Sequence, residues 1–169
     1  MTFAFFISFV ILLRIGELLY SKRNEKWLRQ NGAVEYGKKH YPLIVALHTL
    51  FFLSLIIEYS VQQNPTYSLP IVVLYFVLVA CKAWIILSLG KYWNTKIFRI
   101  PNGPLIESGP YKFVAHPNYV VVVAEIVVIP LAFHLYYTAV IFSVLNAMIL
   151  TVRIKEENLA LKISGESKL

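Results

Sequence analysis

The sequence predicts an all-α, polytopic integral membrane protein with about five transmembrane helices, the last two forming a tight hairpin. Three observations carry this. Of the 169 residues, 58% are hydrophobic and the mean hydropathy is +0.64, more than an ordinary soluble domain of this size holds. Apolar segments recur at 3–20, 43–61, 69–89, 119–134 and 137–152, and the first three approach the ~20 residues a bilayer-crossing helix needs. The basic residues flank these segments, so the net charge of +7 reads as membrane topology, and no nucleic-acid partner is expected.

The first segment has no basic leader and no small-residue cleavage site, so it reads as a retained span, not a signal peptide. His40-Tyr41-Pro42 closes the loop after it, with Pro42 placed to start the second span. The last two segments are shorter and joined only by His134-Leu135-Tyr136-Tyr137. They are expected to tilt or to stop short of the far interface.

Loop charges orient the bundle. Lys22, Arg23, Lys26, Arg29, Lys38 and Lys39 face Glu25 and Glu35 between spans one and two, and 60–68 is uncharged. Lys91, Lys96, Arg99 and Lys112 face Glu107 between spans three and four. The excess of positive charge predicts an outside N-terminus and a cytoplasmic C-terminus. The loop from Gly90 to Asn118 mixes Trp93, Ile97, Phe98, Ile100 and Leu105 with Pro101, Gly103, Pro104, Gly109 and Pro110. Fixed turns and apolar residues together predict a structured, functional loop. Length and the lack of repeats predict one domain over 1–169.

Composition narrows the chemistry. The nine acidic residues are all Glu, which removes Asp-based phosphoryl-transfer and metal motifs. Cys81 is the one cysteine, so neither an internal disulfide nor a thiolate metal cluster is possible, and no metal site is expected. The seven glycines form no GxG, so the Rossmann-type cofactor turn is absent.

Arg14, Glu17, Glu58, Lys82 and Glu125 fall within or at the ends of spans. Intramembrane charges are costly and are usually paired or line a cavity. Arg14 and Glu17, three apart on one helix face, are expected to pair. Glu125 follows Tyr119 by less than two turns with no basic residue near it in sequence, so it is expected to face a site. His48 and His134 read as interfacial packing residues.

Two boundary segments carry chemistry. In His116-Pro117-Asn118-Tyr119, Pro117 disfavours helix at His116 and starts the fourth helix. Its N-terminus then offers backbone N–H groups and partial positive charge to an anionic or nucleotide-like group. In Arg153-Ile154-Lys155-Glu156-Glu157, Arg153 and Glu157 share a helix face. The intervening hairpin returns both segments to one membrane face.

Together they resemble the signature of the isoprenylcysteine carboxyl methyltransferase family, integral membrane enzymes that use S-adenosylmethionine. Gly109, Pro110, Tyr111, Lys112, Phe113, His116, Pro117, Tyr119, Glu156 and Glu157 match the family pattern within 89–161, and Leu89-Gly90-Lys91-Tyr92-Trp93 is also similar. The loop with Glu35-Tyr36-Gly37 and His40-Tyr41-Pro42 is similar to small bacterial members. The resemblance implies that His116, Pro117, Tyr119 and the Glu156–Glu157 pair surround S-adenosylmethionine, and Tyr111, Asn118 and Glu125 join them as cofactor-binding candidates. A hydroxyl acceptor needs a base, for which Glu156 and Glu157 are the candidates, and Arg153 joins them as a catalytic candidate. A lipid-like acceptor would enter from the bilayer, with the site facing the cytoplasm of a bacterial plasma membrane and no obligate protein partner.

Two positions depart from the pattern: Ala115 replaces the usual Arg and Val121 the usual Gly. A guanidinium is the natural partner of a substrate carboxylate. Its absence favours an enol or phenol on a long chain, such as an alkylpyrone, over a prenylcysteine carboxylate, unless Lys112 or Arg99 replaces it in space. The alternatives are a nicotinamide-dependent membrane reductase and a non-enzymatic transporter or scaffold.

Overall fold

The computed structural model describes residues 1–104 and 106–164, so Leu105 lies outside the described residues. Five helices make up most of it: α1 (Thr2–Gln30), α2 (Tyr41–Val61), α3 (Leu69–Leu89), α4 (Pro117–Leu131) and α5 (Tyr136–Ile163). All but α4 are long and apolar enough to cross a membrane. Their flanks are rich in exposed apolar side chains, among them Leu12, Leu53, Val77, Leu87 and Met148. In a soluble protein such surface would be a liability; in a bilayer it is the lipid contact.

Two helices outrun their apolar segments. The first was expected to end near Tyr20 and continues to Gln30; the fifth was expected to end near Thr151–Val152 and continues to Ile163. Hydropathy marks only the part of a helix in lipid. The extensions are amphipathic stretches held by polar contacts at the basic end of the bundle. The α5 extension carries Arg153 and Glu157.

The α4–α5 connection is tight, as expected. The 15 residues of α4 span about 22 Å, short of the ~30 Å hydrocarbon layer. Its turn is buried at Ala132, Phe133 and Leu135, so its backbone must be satisfied within the protein. Gln62 donates to the carbonyls of Phe133 and His134, and the Ser68 amide donates to Ala132. Glu58, predicted as an intramembrane charge, accepts from the amides of Tyr137 and Thr138, and so caps α5 from a neighbouring helix. His134 adopts positive φ in the same turn and meets the Tyr136 hydroxyl.

The core at that end is aromatic. Phe3 stacks on Tyr59 at 3.8 Å and meets Phe133 edge-on at 5.0 Å, while Phe6 packs on Tyr75 and Phe133.

At the basic end the two loops are joined. Strand β1 (Val34–Tyr36) pairs antiparallel with β2 (Ile97–Arg99), with Glu35 opposite Phe98. Glu25, Glu35, Arg29 and Lys96 form one ion cluster beside it. Asn24 donates to the carbonyls of Gly90 and Trp93, and Ser21 binds Asn94 and Thr95. The long loop is therefore structured, as its composition predicts. Gly109 fixes its approach to α3: it has φ +56, and a Cβ there would lie 2.2 Å from Ser88 Oγ.

Candidate active site

The two boundary segments meet. Tyr119 on α4 donates its hydroxyl hydrogen to Glu157 Oε2 and accepts from Arg153 Nε at 2.9 Å. His116 Nδ1 lies 3.3 Å from the same carboxylate oxygen, and Arg99 Nη2 lies 3.0 Å from the other. The His116 ring stacks on Tyr119 with centroids 5.2 Å apart. Arg153 Nη2 donates to the Thr95 carbonyl at 2.7 Å. Since Thr95 is held by Ser21, a chain of hydrogen bonds runs from α1 through the loop to both halves of the site.

This network lies between two cavities. The first, about 180 Å³, is at the basic end and is lined by Tyr92, Lys96, Arg99, Tyr111, His116, Pro117 and Glu157, among others. The second, about 110 Å³, reaches between the helices and is lined by Arg14, Glu17, His48, Lys82, Val122 and Asn146, among others. Trp93, Asn118, Tyr119 and Arg153 line both. Within this partition, Trp93 Nε1 and Asn118 Oδ1 are buried and have no hydrogen-bond partner among the described residues. A buried donor and a buried acceptor left open at a cavity wall suit a polar ligand.

Of the sequence candidates, Tyr111, His116, Pro117, Asn118, Tyr119, Arg153 and Glu157 all line the first cavity. Burial, and then the charge of Glu157, push the Tyr111 phenol up, so it stays protonated. Two candidates lie elsewhere. Glu156 lines neither cavity; one residue along a helix is a rotation of about 100°, and its charge is felt at His40 instead. Burial and then Arg153 hold the His40 imidazole below its ordinary range, with Glu156 opposing them.

Glu125 also departs from its expected place. It lines neither cavity and instead joins an ion cluster, 2.6 Å from both Arg14 and Lys82. Glu17 completes the cluster, at 2.8 Å from Arg14 and 3.2 Å from Lys82. The expected Arg14–Glu17 pair is present, but the partners of Glu125 come from α1 and α3, where no local pattern points to them. Of the two possible substitutes for the Arg missing at Ala115, Arg99 is at the first cavity and Lys112 is exposed.

Sequence reasoning missed Thr95 and His48. Thr95 acts through its backbone carbonyl, which has no sequence signal. His48, expected at an interface, lines the second cavity two turns into α2; the run 43–57 around it has no charged residue to mark which face turns inward.

Comparison with known proteins places the chain in a family. The chain is 42% identical over 158 residues to the uncharacterized protein YpbQ of Bacillus subtilis (strain 168), covering 92% of this chain and 94% of that one. It is 32% identical over 156 residues to an uncharacterized protein of Haemophilus influenzae, covering 90% of each. No solved structure matches. Residues 70–163, which hold α3, the structured loop and the α4–α5 hairpin with its Tyr119–Glu157 contact, match the isoprenylcysteine carboxyl methyltransferase (ICMT) family, and the chain belongs to that family.

Proposed function

We propose that this protein is an S-adenosylmethionine-dependent O-methyltransferase of the membrane, acting on a lipophilic acceptor, with its site facing the cytoplasm of a bacterial plasma membrane. The observation that carries this reading is the Tyr119–Arg153–Glu157 network standing between a cavity at the basic end and a cavity among the helices. Two reactants of opposite solubility can meet across such a partition. The whole chain, 1–169, acts as one domain.

The residues of the first cavity fit the cofactor. Aromatic faces of Tyr92, Trp93 and Tyr111 suit a cationic sulfur and a purine ring. Lys96, Arg99 and Arg153 suit a carboxylate. Trp93 Nε1 and Asn118 Oδ1 suit a polar edge. When bound, S-adenosylmethionine supplies a methyl carbon on a positively charged sulfur. Glu157, already accepting from Tyr119, Arg99 and His116, is spent as an anchor and is a poor base. Its role is to hold Tyr119, His116 and Arg99 around the cavity. Arg153, facing both cavities, stabilises negative charge on the acceptor oxygen.

The acceptor we favour is an enol or phenol on a long chain, such as an alkylpyrone, because Ala115 stands where the family has Arg. A prenylcysteine carboxylate is the second reading, favoured by Arg153, which binds a hydroxyl and a carbonyl but forms no carboxylate pair among the described residues. Calorimetry on detergent-solubilised protein tests the cofactor: binding of S-adenosylhomocysteine and not of NADPH is expected. Binding of NADPH alone would point to the reductase alternative, and binding of neither to a transporter or scaffold. Methyl transfer to acetyl-farnesylcysteine and to an alkylpyrone ranks the acceptors, with the pyrone expected to be faster.

A further inference from the structure

We infer that His48 is the proton acceptor for the lipid's hydroxyl, and that the second cavity holds the head of a weakly acidic hydroxylated lipid. This rests on the methyl-transfer reading. A neutral hydroxyl must lose a proton as its oxygen is methylated, and the expected bases do not serve. Glu156 lines neither cavity. Glu157 is committed to three donors. Glu17 and Glu125 are neutralised by Arg14 and Lys82.

His48 differs from all of these. Its Nδ1 lies 2.8 Å from the Ile44 carbonyl oxygen. A carbonyl only accepts, so Nδ1 carries the hydrogen and the neutral ring keeps its lone pair on Nε2. Among the described residues Nε2 has no hydrogen-bond partner, and His48 lines the second cavity. Charged groups approach it from every side: Arg14 and Glu17 on α1, Lys82 on α3, Glu125 on α4 and Arg153 on α5. The first four cancel in charge, and Arg153 remains to stabilise an anionic oxygen. His116 also offers a ring nitrogen, but it lines only the first cavity.

The proton balances within these groups, and the methyl group would come from the cofactor. The acceptor O–H bond breaks and its proton passes to Nε2 of His48. The oxygen pair forms the bond to the methyl carbon. With S-adenosylmethionine bound, the methyl–sulfur bond would break with its pair staying on sulfur, and a neutral thioether would leave.

The first test needs no methyl donor. Solubilised protein is titrated with 4-dodecyl-2-nitrophenol, whose phenolate absorbs in the visible, from pH 5 to 9. With wild type, the phenolate should form at least one pH unit lower than in detergent alone; with His48→Gln, that shift should vanish. An unshifted phenolate in wild type overturns the inference whatever the variant does. The second test measures methyl transfer. His48→Gln should slow transfer to 4-dodecylphenol about 100-fold but transfer to the pre-ionised nitrophenol less than 5-fold, with S-adenosylhomocysteine affinity unchanged. Equal losses on both substrates, or rescue by the nitrophenol in His116→Gln instead, overturn it. A phenolate shift without S-adenosylhomocysteine binding would reject the methyltransferase reading while keeping His48 as the cavity's proton acceptor.

Discussion

Tyr119 is the residue on which the two halves of the site depend, because one hydroxyl both accepts from Arg153 and donates to Glu157. Tyr119→Phe leaves a half-buried guanidinium nitrogen of Arg153 unpaired, at a cost of about 1–3 kcal/mol. S-adenosylhomocysteine affinity should fall about tenfold by calorimetry; unchanged affinity would remove Tyr119 from the cofactor site. The adjacent glutamates should separate in the same assay. Glu157→Gln weakens binding, since it gives up the charge facing Arg99 and His116, whereas Glu156→Gln leaves it intact. The sequence places both glutamates in the site by resemblance, and only the helix rotation distinguishes them. Glu125 shows the opposite limit. Its place near Tyr119 is legible, but its partners lie 111 and 43 residues away. Removing its charge by Glu125→Gln leaves buried Lys82 and half-buried Arg14 sharing Glu17. A cost of about 3–5 kcal/mol, or a fall of roughly 10 °C in thermal midpoint, is expected. A change under 2 °C would show that the cluster contributes little.

Among the elements, the helices are legible where they are apolar and illegible where they leave the lipid. The segments 43–61 and 69–89 agree with α2 and α3 to within a few residues. The extensions of α1 and α5 read as loop because hydropathy falls there while helix propensity does not. The β1–β2 pair is too short, and its strands too far apart in sequence, for alternation to reveal it. Caps supplied by other elements are equally hidden. Glu58 holds the first turn of α5, so Glu58→Ala should lower stability by about 1 kcal/mol, roughly 3 °C. S-adenosylhomocysteine affinity should not change, since Glu58 is at the opposite end of the bundle. A large loss of affinity with an unchanged midpoint would contradict the capping role.

On the scale of the molecule, positive charge gathers at one end and is scarce at the other. The basic end should therefore face the cytoplasm. Cysteine-accessibility labelling should place Gln63 and Lys96 on opposite sides of the membrane; labelling from one side alone would reject this topology. If the acceptor is a lipid, as proposed, affinity should grow with chain length. Each buried methylene contributes about 0.8 kcal/mol, or close to fourfold per carbon. An affinity indifferent to tail length would reject a lipid acceptor.

The ties of Ser21 and Asn24 to residues 90–95 have a consequence for how the gene can be cut. The family match begins at residue 70, yet the carbonyl that orients Arg153 is held from α1. A fragment starting at residue 67 would therefore carry the whole family signature and still be catalytically inert. Expressed beside a second fragment ending at Pro65, it should regain activity, because the break falls in an uncharged connector and the two pieces share a two-stranded sheet. The heritable signature and the smallest working enzyme are then different objects, and the N-terminal hairpin acts as an internal clamp.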